Sequence, residues 1–151
     1  MVMMRQRLPV TVSASLPFTH TSCELVQVTL TVPQHVHLFC LYRPPPSKGN
    51  KLTDSVFLNE FPGFLEHCNL LRGKLTIPGD FNIHFDSPSN SITLETLEIL
   101  STFNGVQAVK ESTHIHEHIL DWVLYREDEP ILRSCTVGHN ISSDNFRVLC
   151  C

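Results

Sequence analysis

The stretch KLTIPGDFNIHFD, Lys74 to Asp86, sets a short apolar run ending at Ile77 just ahead of Gly79, Asp80 and Asn82. Such a run, bounded by proline, glycine and aspartate, reads as a buried strand, KLTI (Lys74–Ile77), that delivers PGDFN at its end. Strand ends and the loops after them are where a rigid sheet offers polar groups to a ligand. Asp80 and Asn82, two apart in an extended segment, point the same way and together can hold a nucleophilic water and a phosphate oxygen. The dipeptide Gly79-Asp80 equally fits a plain turn.

Working outward, alternation marks the upstream half. ELVQVTLTV (Glu24–Val32) and HVHLFCLYR (His35–Arg43) flank a short break and predict a β-hairpin. Pro44, Pro45 and Pro46 end its second strand, because three prolines cannot donate to a ladder. Thr53 or Asp54 then caps a helix. Along it Val56, Phe57, Phe61, Phe64, Leu65 and Cys68 recur at helical spacing, and Pro62 within the pattern predicts a kink or two short helices. Downstream, a second amphipathic helix spans about Ser91–Phe103, with Gly105 ending it. Strands follow at VQAV, HILDWVLY, ILRSCTV and NFRVLC. Strands with two helices between them make an α+β sandwich.

At 151 residues the chain is a single domain, long enough for a real core. Its 11 Lys plus Arg against 15 Asp plus Glu, a net charge of -4, argue against a protein that lives on phosphate contacts. They allow an enzyme whose acidic residues hold a divalent cation. No run reaches the ~20 apolar residues that cross a bilayer, so no membrane is expected. The opening MVMMRQRLPVTVSASLPF is broken by Pro9, Thr11, Ser13 and Ser15 and does not read as a signal peptide. Six cysteines without a CxxC pair point to a reduced setting, nucleus or cytoplasm, and not to secretion.

Two further carboxylates stand out. Asp121 sits in the otherwise apolar HILDWVLY, where a lone carboxylate needs a partner to offset its burial. Asp144 precedes the last strand, and an oxygen-rich set of this kind suits Mg²⁺. THIHEH puts His114, His116 and His118 at alternate positions; in a strand they share one face and can bind Zn²⁺. The reading preferred here is a polar hairpin entry, with His84 and His139 as surface residues. His139, five positions before Asp144, also has the chemistry to stand in as a base.

Taken together, LYRPPPSKGNKLTDSVFLNEF, GDFNIHFDSPSN, THIHEHILDWVL and SSDNFRVL, in that order, resemble the endonuclease/exonuclease/phosphatase superfamily with its DNase I-like fold. The resemblance runs from about Leu8 to Cys150 and is strongest to the endonuclease domain of LINE-type (non-LTR) retrotransposons. It implies a four-layered α/β sandwich that nicks DNA with Mg²⁺ or Mn²⁺, through water activated by a histidine. Asp80 would orient or deprotonate that water, and Asn82 would hold it or the phosphate. Tyr42 would contact the scissile phosphate, with Arg43 a neighbour on the nucleic-acid side. Asp121 would orient the histidine, as a carboxylate does in a hydrolase triad. Asp144 would be the metal-associated aspartate.

Three departures from the pattern matter. Asn145 stands where the histidine belongs, and an amide cannot relay a proton near neutral pH. Losing a general acid–base group costs about 10² to 10⁴ in rate, on the order of 3–5 kcal/mol. The resemblance also calls for an asparagine and a metal-binding glutamate on strands upstream of LPVTVSA, so the domain over residues 1–151 is expected to be incomplete, with Glu24 no substitute. Exposed sheet edges are then expected to invite self-association. Finally, Pro78 removes a ladder hydrogen bond where the resembled strand carries an aliphatic residue. Beside a weakened nuclease stand two other expectations: a catalytically dead remnant that binds a partner, and a phosphatase acting on small phosphoesters.

Overall fold

The computed structural model describes residues 10–13, 16, 20–31, 34–138 and 143–151. His139, Ser142, Val32 and the opening segment to Pro9 lie outside the described residues. The strands are β1 (Val10–Ser13), β2 (Glu24–Leu30), β3 (Val36–Tyr42), β4 (Lys74–Asp80), β5 (Gly105–Gln107), β6 (Asp121–Arg126), β7 (Cys135–Gly138) and β8 (Arg147–Cys150). Two helices, α1 (Asp54–Leu70) and α2 (Ser91–Thr102), fall between them. Six strands form one mixed sheet in the order β1-β2-β3-β4-β6-β5, and β7 pairs with β8 apart from it. This is the α+β plan. The edge strands of the large sheet are β1 and β5.

The strand expected at Lys74–Ile77 runs on through Pro78 to Asp80. On its β3 side, parallel partners run from Val36–Lys74 to Leu38–Thr76, lapse, and resume at Leu41–Gly79 and Tyr42–Asp80. The lapse falls where Pro78 has no N–H to give. Its β6 side stays paired from Thr76–Tyr125 to Asp80–Asp121, which holds the strand straight. Gly79 is needed here: a Cβ on it would meet the Leu41 carbonyl oxygen at 2.0 Å. Gly79-Asp80 is therefore strand and not turn.

The hairpin of β2 and β3 matches the alternation, with seven registered pairs from Glu24–Tyr42 to Leu30–Val36. Helix α1 runs as one helix through Pro62, which rules out the two short helices that were one of the expectations. Its face of Phe57, Phe61, Phe64, Leu65 and Cys68 is buried. At about 1.5–3 kcal/mol for each large apolar side chain, that face outweighs the ~3 kcal/mol an interior proline costs. Thr53 caps it, its hydroxyl accepting from the Val56 N–H at 3.3 Å. At the other end Arg126 donates to the carbonyls of Cys68, Leu71 and Gly73. Glu60, on the same helix, accepts from the backbone and hydroxyls of Thr21 and Ser22 and so anchors the approach to β2.

Leu65 and Cys68 of α1 and Leu100 of α2 meet Leu75, Ile77 and Leu124 of the sheet. The turn out of α2 is made by Asn104 at a φ of 52°, so Gly105 opens β5 instead of ending the helix. The later strands are shorter than the apolar runs suggested. His118 to Leu120 precede β6 as loop, and β5, β7 and β8 keep only part of VQAV, ILRSCTV and NFRVLC. Among the described residues, no helix is long and apolar enough to cross a membrane.

Candidate active site

Asp80 ends β4 with Tyr42 of β3 as its partner on one side and Asp121 of β6 on the other. Residues paired across strands project from the same face of a sheet. Tyr42, Asp80 and Asp121 thus form a row across three strands spaced about 4.8 Å apart. Tyr42 is the exposed member at 43%. Glu24, opposite Tyr42, extends the row onto β2.

Asn82 is not part of an extended segment, and here the sequence reading is corrected. Its φ is 48°, and its backbone N–H donates to Asp80 Oδ1 at 3.0 Å. That is an aspartate-nucleated turn. The Asn82 side chain donates to the Arg43 carbonyl at 2.8 Å, so the two residues interlock and do not reach out in parallel. Arg43 also departs from expectation. It is 2% exposed, donates to the carbonyls of Phe81 and Asn82 and to Asp54, and lies 5.0 Å from the Phe57 ring centroid. Its charge is spent inside, bracing the loop after β4, and is not offered at the surface.

The other half of the site comes from residues 113–121. Thr113 is fully buried; its hydroxyl oxygen accepts from the Leu120 and Asp121 N–H groups, both at 3.0 Å. Its carbonyl accepts from the Phe146 N–H at 2.7 Å. His114 forms an isolated bridge with Asn145, and the Ile115 N–H donates to the Asp144 carbonyl at 3.0 Å. The Ser-Asp-Asn segment is thereby laid against the strand entry that carries Asp121. THIHEH is not a strand: Glu117 turns it at a φ of 62°, and the His114 and His116 rings lie 5.0 Å apart while His118 pairs with Asp86. Thr113 went unmarked in the sequence, because what singles it out is its contact with the Phe146 N–H and with the N–H groups of Leu120 and Asp121.

Burial pushes the Asp121 carboxyl up to about 6; a hydrogen bond with Thr113 opposes this, and the charge of Asp80 adds to it. One of its oxygens, Oδ2, is buried without a hydrogen-bond partner. Asp80 is raised too, again by burial, against the hydrogen bonds of Asn82 and the nearby charge of His114. Because folded Asp121 keeps its proton above the usual carboxylate range, it costs stability once ionised. The cost is absent below about pH 4, builds between about pH 4 and 6, and is complete above that. Asp121→Asn is expected to stabilise the fold by roughly 1–2 kcal/mol at pH 8, with the gain shrinking towards zero at pH 4. Urea denaturation at the two pH values measures this, and an equal effect at both would refute the assignment.

No family model and no curated protein matches the sequence. Solved structures do match. Across 94% of this chain the fold superimposes on the endonuclease domain of TRAS1, a telomere-specific non-LTR retrotransposon, with a TM-score of 0.71 at 15% identity. The chain has the DNase I-like fold. The human Nocturnin catalytic domain matches over 95% of the chain at a TM-score of 0.65 and 15% identity. A 3'-5' exonuclease from Neisseria meningitidis matches over 82% at 0.62 and 15%. The DNase I-like chain spans 65%, 57% and 62% of these three proteins, in the order given. A cleft of about 860 Å³ between His35, Arg72, Lys74 and Asp128 opens at the start of β4, at the other end of that strand from the carboxylate row.

Proposed function

We propose that the chain is a divalent-cation-dependent phosphodiester hydrolase domain acting on DNA, slowed by the loss of its proton-transferring histidine. The observation that carries this reading is the pair Asp80–Asp121, two like charges set opposite each other, both raised by burial, with one oxygen lacking any partner. Isolated carboxylates are not set that way without something positive to offset them. The donors are oxygens, which fits Mg²⁺ or Mn²⁺. Asp144 would hold the ion, which when bound supplies a positive charge to polarise a phosphoryl oxygen. Asp80, fixed through Oδ1 by Asn82, would direct its free oxygen to a water and take its proton. Tyr42, exposed beside it, would meet the phosphate, and Asp121 would hold the pocket's charge pattern.

Asn145 favours a second reading, a non-enzymatic binding module. Incubating supercoiled plasmid with the protein and Mg²⁺ separates the two. Slow, chelator-sensitive conversion to open circles is expected, with no phosphate released from small monoesters. Absence of nicking at high protein concentration would select the binding module, and phosphate release would select a small-substrate phosphatase. Asn145→His is expected to raise nicking by less than about tenfold, well short of the ~10²–10⁴ a general acid–base group supplies. The resemblance also calls for a metal-binding glutamate on upstream strands, for which Glu24 is not expected to substitute. Full restoration by that one change would overturn this account.

A further inference from the structure

We propose a second cation site, for a transition dication of the zinc class, formed by His84, Asp86 and His118. One donor atom from each of these residues lies within 4.8 Å of the other two. His84 and Asp86 belong to the loop that follows β4, and His118 to the loop that leads into β6. His118 Nδ1 and Asp86 Oδ2 are 2.9 Å apart, and the His84 ring stands nearly edge-on to His118 with centroids at 4.1 Å.

The backbone beneath these donors is fixed in advance. Phe81 N–H donates to the Leu120 carbonyl at 3.0 Å and Phe85 N–H to the Ile119 carbonyl at 3.1 Å. Asp86 Oδ1 accepts from the Ile119 N–H at 2.8 Å, while the Thr93 hydroxyl holds the His84 carbonyl at 3.1 Å. A site pinned on both sides loses little freedom on binding, which is what a three-donor site requires. The donors themselves are half-buried or exposed, so an ion can reach them.

The donor set selects the ion. Two imidazoles and one carboxylate suit Zn²⁺, with the fourth tetrahedral position left to water, and are poor company for Mg²⁺. An Asp86–His118 ion pair alone would tie the loops without a third donor. His84 has no part in that pair, yet its ring is brought against His118. The site shares only His118 with the alternating trio of the sequence, whose His114 and His116 rings lie against each other instead. It is separate from the oxygen-lined Asp80–Asp121 pair and does not depend on nuclease activity.

The test is ZnCl₂ titration of the intact, reduced chain by calorimetry, with Co²⁺ as an optical stand-in. One equivalent is expected to bind with a micromolar or tighter dissociation constant, with no thiolate-to-metal band in the Co²⁺ spectrum. That band matters because Cys135 and Cys150 sit opposite each other and are free thiols. His84→Ala and Asp86→Asn should each weaken binding more than about tenfold. Asp86→Asn retains an oxygen to accept from Ile119, so it guards against a folding defect. Zinc should also raise the melting temperature of the wild type but not of His84→Ala. No zinc bound, unchanged affinity in both variants, or a thiolate band would each overturn the site.

Discussion

On the proposed function, Asp80→Ala is expected to lower Mg²⁺-dependent plasmid nicking by about 10²–10⁴-fold, the range for removing a group that handles the attacking water's proton. Its position makes it the pivot of the row, flanked by Tyr42 and Asp121 and locked by Asn82. Alanine also removes the acceptor for the Asn82 N–H, so a loosened turn would contribute to the loss. Asp80→Asn separates the two effects, since its amide oxygen still accepts from Asn82 but cannot take a proton. Both variants are expected to fall together while circular dichroism stays native. Because burial raises the Asp80 carboxyl, nicking should climb as pH rises above the usual carboxylate range. Wild-type nicking retained in Asp80→Asn would remove Asp80 from the chemistry.

Trp122→Ala is expected to cost about 3–5 kcal/mol of folding stability, the range for deleting a fully buried large aromatic. Trp122 is 0% exposed and stacks on Phe81 at 4.9 Å, with Phe85 edge-on at 5.5 Å. Its indole N–H donates to the Ile83 carbonyl at 3.1 Å. Alanine leaves a cavity and an unpaired buried carbonyl together. Domains of this kind are stable by only about 5–15 kcal/mol, so the variant should be partly unfolded in mild urea. Trp122→Phe keeps the stack and loses the hydrogen bond, with an expected cost nearer 1–2 kcal/mol. The chain has 1 tryptophan, so unfolding is followed by far-ultraviolet circular dichroism and not by fluorescence. A loss below about 1.5 kcal/mol for alanine would mean that the loop around Phe81 is not held from beneath.

What the chain states locally could be read from it. Alternation gave away the β2–β3 hairpin, and helical spacing from Phe57 to Cys68 gave away α1. A carboxylate ending one apolar run and another embedded in a second run singled out Asp80 and Asp121, which turn out to be neighbours. The misreadings have one cause, which is that the deciding partner lies far off in sequence. Pro62 looked like a break because the sheet that holds α1 together is invisible to spacing. Arg43 was expected as a neighbour on the nucleic-acid side, but its partners are Asp54 and carbonyls 38 and 39 positions away. Asn82 looked extended because nothing in GDFN announces that Asp80 will fold back onto its amide. The approach of His84 and Asp86 to His118 likewise spans 32 positions from Asp86 and exists only once the sheet is built.

The bond from the Trp122 indole to the Ile83 carbonyl spans 39 positions and ties the lip that carries Asp80 to the strand that carries Asp121. A chain leaving the ribosome therefore presents Asp80 well before the β6 side can brace it. At ~5–20 residues per second the delay is about 2–8 s, during which β4 has its β3 neighbour but not β6. That interval leaves one side of a half-built sheet open to other nascent chains. Slowing translation there should favour aggregation, whereas slowing it past Arg126 should not.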